Sequence, residues 1–151
     1  MTMNDDTALS DGTKARPYAA VLGRLKDFGL RPTRQRLALG KLLFDGGDRH
    51  VTAEQLHLEA REIGVKVSLA TVYNTLNQFR DSGMLREVVV GGGKSYFDTN
   101  IHDHHHFFVE PAGELVDIPA DQIQVGRIPA PPEGTVMDRV DVIIRVNHNS
   151  E

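Results

Sequence analysis

The densest group of chemically active side chains lies at residues 102–106, where four of the seven histidines occur in the order His-Asp-His-His-His. Neutral imidazole is a common metal ligand and its charge changes near neutral pH, so this cluster predicts a metal, haem or proton-sensing site. Alternate side chains of a β-strand share a face, which places His104 and His106 together and His105 opposite them. Because the run is internal and leads into an apolar stretch, a tag, a disordered tract or a solvated loop is less favoured.

Cysteine is absent, which excludes disulfides, cysteine-bound zinc, iron–sulfur clusters and thiolate chemistry. Any metal must therefore be bound by nitrogen and oxygen. The 151 residues, 40% of them hydrophobic, suffice for one ordinary domain or two small ones. No apolar run approaches the roughly 20 residues of a membrane helix, and the N-terminus is acidic and polar, so we expect no membrane segment and a cytoplasmic protein.

Charge is distributed unevenly along the chain. Residues 1–94 carry 14 Lys and Arg against 11 Asp and Glu, whereas residues 95–151 carry 3 against 10. Within residues 13–44 eight basic side chains are accompanied by Asp27 as the single acidic one. Such a basic segment is typical of nucleic-acid binding, although a solvated helical face explains the charge alone equally well.

Capping residues and glycine stops predict four helices in the first half of the chain. Helices are expected at residues 17–28, 33–44, 52–63 and 69–82, followed by strands at 85–90 and 94–98 around three glycines. Two helices joined by a short turn and followed by a small hairpin form a winged helix. We therefore predict a polar tail at residues 1–15 and a winged-helix DNA-binding domain at residues 16–98.

The remaining residues, 99–151, predict a small α/β domain, so that the whole chain is of the α+β class. Strands are expected at residues 106–109, 114–117 and 139–146. Four prolines between residues 119 and 134 allow at most a short helix at 120–125.

The predicted helix from Leu69 has two faces of different chemistry. Its apolar stripe is Leu69, Val72, Tyr73, Leu76 and Phe79. Its polar face carries short hydrogen-bonding side chains suited to base edges and phosphates, namely Ser68, Thr71, Asn74, Thr75 and Gln78. Since Asn and Gln can pair bidentately with adenine, this face indicates an A·T-rich target. An ordinary surface helix explains amphipathicity alone, but the order of basic helices, polar helix and hairpin favours DNA binding.

Basic residues outside this helix are candidates for contacts with the DNA backbone. Arg31, Arg34 and Arg36 flank Pro32 and are candidates for backbone or minor-groove contacts, and Lys94 lies near the hairpin tip, where a wing meets a phosphate.

Several motifs, in order, resemble the Fur family of metalloregulators over about residues 17–118. They are GLRPTRQR at 29–36, HVTAEQL at 50–56, SLATVYNTL at 68–76 and GGKSYF at 92–97. The triple histidine, the missing cysteines and the short, proline-broken C-terminal segment resemble the iron-response regulator (Irr) branch of alphaproteobacteria. The resemblance implies a homodimeric repressor of iron and haem genes that binds A·T-rich palindromes and is released by haem. It also implies that Tyr73 contacts DNA, against its place in the apolar stripe, and we follow the resemblance there.

Ligand roles follow from the same resemblance. It implies an interdomain site for Fe²⁺, Mn²⁺ or Zn²⁺ formed by His50, Asp98, His104, His106 and Asp117. Haem contacts are implied at His104, His105 and His106. The family's structural-zinc cysteines are missing, and a third site that would use Asp103 and His105 lacks its other partners because Gln124 and Val140 replace an acid and a histidine.

Other functions remain open at this point. A metal-activated Fur-type repressor uses the same residues, and aspartate at positions 98 and 117 resembles the peroxide-sensing branch, in which bound iron promotes oxidation of a histidine. A metallohydrolase that activates water with the His/Asp set is the third hypothesis. The sequence shows no separate nucleophile or phosphate-binding loop, so we expect a regulator and not an enzyme.

Overall fold

A computed structural model describes residues 17–148, so the predicted polar tail at 1–15 lies outside the described residues. The chain divides into two compact units, the first ending at Ile101 and the second beginning at His102. None of the helices within residues 17–148 has the length and apolar character required to cross a membrane.

Four helices form the first unit, and local signals define their ends. Thr33, Thr52 and Ser68 each cap a helix by accepting a backbone N–H bond, and Thr52 forms a reciprocal capping box with Gln55. Gly83 ends the last helix at a φ of 95°, a conformation that favours glycine. The four predicted helices are confirmed, with observed bounds α1 Ala19–Asp27, α2 Arg34–Phe44, α3 Ala53–Glu62 and α4 Leu69–Ser82.

An antiparallel sheet of three strands completes this unit as the predicted wing. Strands β2 (Arg86–Gly91) and β3 (Lys94–Asp98) form the hairpin, and β1 (His50–Val51) pairs with the outer side of β3. The sequence did not predict β1 because two residues are too few to show a strand period. Its register places His50 directly opposite Asp98.

The interior of the first unit is a continuous apolar cluster to which all four helices contribute. Close approach of α1 to α2 depends on Gly40, where an added Cβ would lie 2.4 Å from a methyl carbon of Val21. The apolar cluster includes seven fully buried side chains, namely Leu25, Leu39, Leu43, Leu56, Val72, Leu76 and Phe79.

The second unit is a small three-stranded sheet of order β5-β4-β6. Strands β4 (His104–Glu110) and β5 (Glu114–Pro119) form an antiparallel hairpin, and β6 (Ile143–Asn147) lies parallel to β4 on its other side. The short helix expected at residues 120–125 is a single 3₁₀ turn, Ala120–Gln122, and irregular chain connects it to β6. Strand β4 begins two residues earlier than predicted and so includes the whole histidine triplet.

Candidate functional site

In the first unit, His50 and Asp98 form a cross-strand pair of imidazole and carboxylate. Their register in β1 and β3 places the His50 Nε2 atom 3.6 Å from Asp98 Oδ2. The Asp98 side chain is only 1% exposed, and its Oδ1 atom accepts a 2.9 Å bond from the backbone N–H of Asn100. One oxygen is therefore held by the backbone, while the other faces the imidazole, as in many carboxylates that help to bind a metal.

Three potential metal ligands converge in the second unit. The Nε2 atoms of His104 and His106 each lie 3.4 Å from the same oxygen, Asp117 Oδ1, and the two rings meet edge to face with centroids 4.5 Å apart. Alternation along β4 places both histidines on one side, and register places Asp117 directly opposite His106. Alternation had predicted that the two histidines share a face, but their distances to Asp117 depend on the pairing of β4 with β5.

The position of the ring hydrogen on His104 indicates whether His104, His106 and Asp117 suit a metal. Its Nδ1 atom lies 2.6 Å from the carbonyl oxygen of His102, a geometry in which Nδ1–H donates to that oxygen. In the neutral ring Nε2 then carries a lone pair toward Asp117, and lone pair and carboxylate repel unless a proton or a metal ion lies between them. A backbone carbonyl on the other ring nitrogen is the usual orienting partner of a metal-binding histidine, so these residues fit a metal.

His105 points away from this group, as strand alternation predicts. Its Nδ1 atom accepts a 3.1 Å bond from the backbone N–H of Val142, just before β6. All three histidines of the triplet are buried, with exposed fractions of 4% to 8%. The residues predicted to contact haem therefore do not form an open surface.

The first unit carries a polar groove of about 540 Å³ between the start of α2 and the polar face of α4. It brings together six of the ten residues predicted to contact DNA, and it adds Thr33 and Gln35, which the sequence analysis did not select. Among residues 17–148, no carboxylate lines the groove. Its lining is Arg31, Thr33, Gln35, Arg36, Thr71, Asn74, Thr75 and Gln78.

Several predicted DNA contacts have additional structural roles. Ser68 caps α4 and bonds Thr71 through both backbone and side chain. Thr75 is only 4% exposed, although it lines the groove. Tyr73, Arg34 and Lys94 lie outside the groove lining, and all three are exposed.

Tyr73 is a surface residue, so its assignment to the buried stripe of α4 was wrong. Its side chain is 39% exposed, and its hydroxyl donates a 2.8 Å bond to Glu54 Oε2 on α3. The bond to Glu54 raises the pKa of the Tyr73 phenol above its ordinary value, with smaller contributions from burial and from the carboxylate charge. Helical spacing did not reveal this because Tyr73 occupies the edge of the stripe, where a polar partner on α3 decides its orientation.

Basic side chains differ in whether a carboxylate neutralises them. Arg49 forms a two-bond pair with Glu59, and Arg80 binds Glu87 at 2.6 Å. Within residues 17–148, by contrast, no carboxylate pairs with the predicted DNA-contacting cations Arg31, Arg34 and Lys94. Unneutralised cations beside a polar groove are suited to phosphates.

Comparison with known proteins agrees with this arrangement. Residues 27–130 match the model of the ferric uptake regulator family. The ferric uptake regulation protein of Shigella flexneri is 38% identical over 101 residues, which cover 66% of this chain and 68% of that protein. The structure of the Vibrio cholerae ferric uptake regulator is similar with a TM-score of 0.66 and 26% identity, over 84% of this chain and 98% of that one. A manganese-containing structure from Pseudomonas aeruginosa has the same TM-score at 24% identity, covering 85% and 97%, and supports the fold.

Proposed function

Because the chain belongs to the ferric uptake regulator family and is thus a metal-responsive transcriptional regulator, we propose that Fe²⁺ or Mn²⁺ activates it as a repressor. The observation that carries the proposal is the convergence of two histidine nitrogens on one Asp117 oxygen, each at 3.4 Å. The family consists of transcription regulators and the relatives matched here are named as such, which favours regulation over the hydrolase hypothesis.

The proposed metal ligands are His50 and Asp98 from the first unit and His104, His106 and Asp117 from the second. Three imidazoles and two carboxylates suit Fe²⁺, Mn²⁺ or Zn²⁺, and bound metal would supply positive charge to balance the carboxylates. The burial of Asp98 adds local support, since a carboxylate with 1% exposure is stable as an anion only beside compensating groups.

A metal that is bound more tightly by the DNA-binding form of the protein would couple metal binding to DNA binding. The coupling is reciprocal, so a metal that tightens DNA binding must itself be bound more tightly in the DNA complex. We propose this linkage as the means by which metal supply controls repression.

The proposed DNA interface combines the polar face of α4 with the unpaired cations around it. Base or backbone contacts are assigned to Arg31, Arg34, Arg36, Ser68, Thr71, Tyr73, Asn74, Thr75, Gln78 and Lys94. A homodimer would present two such faces to an A·T-rich palindrome, with half-sites roughly 10 base pairs apart. The groove free of carboxylates supports this assignment.

Release by haem, as in the Irr branch, is the alternative regulatory signal. It is supported by three consecutive histidines in a chain without cysteine. Release by haem is less favoured than metal activation, because all three histidines are buried and His105 accepts a bond from Val142. Haem binding would require these strands to open before an imidazole became accessible.

The decisive experiment is DNA binding by metal-stripped, full-length protein at one stated salt concentration. Fluorescence anisotropy would compare an A·T-rich palindromic duplex with a shuffled duplex during separate titrations of Mn²⁺, anaerobic Fe²⁺, Zn²⁺ and haem. We expect Mn²⁺ or Fe²⁺ to tighten binding to the palindrome by at least tenfold. Fixed salt is necessary because salt alone changes DNA affinity strongly.

Variants identify the responsible residues. His50→Ala and His104→Ala should each raise the metal concentration needed for DNA binding by roughly tenfold or more. His148→Ala removes an exposed histidine and is the matched control. Tight binding without metal that haem abolishes would reject metal activation in favour of haem release, and metal activation that both variants retain would reject the assigned ligands.

A further inference from the structure

Arg36 and Gln78 are 42 residues apart in sequence and form a hydrogen-bonded pair in the polar groove of the first unit. The Nε and Nη2 atoms of Arg36 donate to Gln78 Oε1 at 3.2 and 3.0 Å. Its Nη1 atom donates to the carbonyl oxygen of Arg31 at 2.8 Å, which fixes the other side of the guanidinium. The arginine is therefore attached to both α4 and the chain before α2.

This arrangement determines which atoms the glutamine can offer to a ligand. A glutamine that pairs with adenine uses its oxygen to accept from N6 and its nitrogen to donate to N7. Here two bonds from Arg36 occupy the oxygen, so the amide presents only its two N–H groups. The guanidinium has five N–H donors, of which three are used, leaving two more.

The surroundings favour the same kind of ligand. Arg36 and Gln78 line the groove together with Arg31, and no acidic side chain of the part of the chain that the structure describes contributes to the lining. A site with several donors and positive charge, and without carboxylates, suits a ligand that offers acceptor atoms only. In DNA these are the N7 and O6 atoms of guanine in the major groove, or the oxygens of a phosphate.

We propose that Arg36 and Gln78 act as a single donor-only unit that recognises guanine N7 and O6 or a backbone phosphate, and that Gln78 does not read adenine. The proposal rests on the DNA-binding function proposed above. If the ligand is guanine, each half of an otherwise A·T-rich operator contains one G·C pair at the position facing this unit.

The test is selection of DNA from a randomised duplex library by full-length, Mn²⁺-loaded protein. Wild type, Arg36→Met and Gln78→Met would be compared, with Gln122→Met as a control that changes an exposed glutamine of the second unit. For guanine recognition, the wild type and control enrich one guanine in each half-site. Each groove variant then loses that preference, with a roughly tenfold to hundredfold fall in discrimination.

For phosphate recognition, the selected sequences are the same for all proteins. Both groove variants then weaken binding to every duplex by a similar factor whatever its sequence, and Arg36→Met, which removes a positive charge, makes the slope of log affinity against log salt shallower by about one. Binding of the double variant separates a single unit from two independent contacts. If Arg36 and Gln78 act together, Arg36→Met should add little to the loss already caused by Gln78→Met. If they are independent contacts, the two losses should add.

Enrichment of adenine that depends on Gln78, additive losses, or variants with unchanged affinity, sequence preference and salt slope would overturn the donor-only unit while leaving DNA binding intact. If the wild type selects no duplex, DNA binding itself fails, and this inference fails with it. Because Arg36 and Gln78 are surface side chains, matching thermal unfolding of the variants and wild type would show that the losses are not due to misfolding.

Discussion

The interiors of the two units are built from different chemistry. The first unit buries a continuous cluster of aliphatic and aromatic side chains, many of them with no exposed surface. In the second unit the buried apolar residues among those described are Phe108, Leu115 and Ile118, and three histidines of β4 are buried in the same sheet. Burial of apolar area at about 25 cal/mol per Å² can therefore stabilise the first unit far more than the second.

This difference predicts that the stability of the second unit depends on a ligand or a partner more than that of the first does. A sheet with few buried apolar side chains and several metal-ligating groups gains much of its stability from a ligand or a partner. The proposed DNA-reading surface thus lies on the unit with the larger apolar core, and most of the proposed metal ligands lie on the unit with the smaller one.

Removal of a core side chain should have the largest effect and should be confined to the first unit. Phe79→Ala is expected to cost about 3–5 kcal/mol, because the fully buried ring leaves a cavity. Hydrogen exchange followed by mass spectrometry would show faster exchange in the helices, with little change in β4 to β6. Leu58→Ala, at a 55% exposed position on α3, is the control and should change stability by less than about 0.5 kcal/mol. Equal acceleration of exchange in both units would contradict the proposed difference between their interiors.

Metal should act mainly on the second unit. Mn²⁺ at a hundred times its dissociation constant is expected to add about 2.7 kcal/mol to the stability of the binding form. The same exchange measurement should show the greatest protection in β4 and β5. His106→Ala should abolish this protection, whereas protection that persists in this variant would place the metal elsewhere.

Substitutions of two glycines test close packing in the first unit, and their expected effects on stability are smaller. Gly40→Ala would place a Cβ 2.4 Å from a Val21 methyl carbon, and we expect a net loss of about 1 kcal/mol after the better helix propensity of alanine is included. Gly23→Ala on α1 meets no atom within 4 Å and should instead stabilise by about 0.5–1 kcal/mol. Opposite signs in chemical denaturation would confirm that close packing, and not helix propensity, decides the effect at position 40.

The smallest expected effect is a loss of stability at alkaline pH. Burial raises the pKa of Tyr96, and the bond to Glu54 raises that of Tyr73, so both phenols ionise above the ordinary value of about 10. Because each folded-state pKa lies above the unfolded one, the associated stability is fully present below about pH 10 and is lost as pH rises through the folded value. Ultraviolet absorbance titration would detect the delayed ionisation, and Tyr73→Phe should remove one of the two delayed groups. A titration identical to that of free tyrosine would contradict both assignments.

Local signals in the sequence were sufficient for elements that local interactions define. The bounds of α4 agree with prediction because Ser68 caps one end and Gly83 ends the other. Strand β1 has no such signal, since two residues form a strand only because β3 lies beside them. The parallel pairing of β4 with β6 was likewise unpredictable, because the chain that leads from the 3₁₀ turn after β5 to β6 is irregular.

The sequence likewise predicted the residues of the candidate site better than the contacts between them. Residue types and alternation identified His104 and His106 as sharing a face, and family motifs added His50, Asp98 and Asp117. The distances depend on strand register, and the orientation of Tyr73 depends on Glu54, a contact between two helices. Pairing between Arg36 and Gln78 also crosses elements, so neither residue alone indicated what the other could offer to DNA.

Both sheets place a histidine directly opposite an aspartate, His50 against Asp98 and His106 against Asp117. Consecutive side chains point to opposite faces, so a slip of one residue in either pairing would turn a ligand away from its partner without changing any ligand residue. The chain should consequently tolerate insertions in the irregular segment before β6 far better than a one-residue deletion in the turn at 111–113. A family member could thus retain every proposed ligand residue in an alignment and still be unable to bring them together.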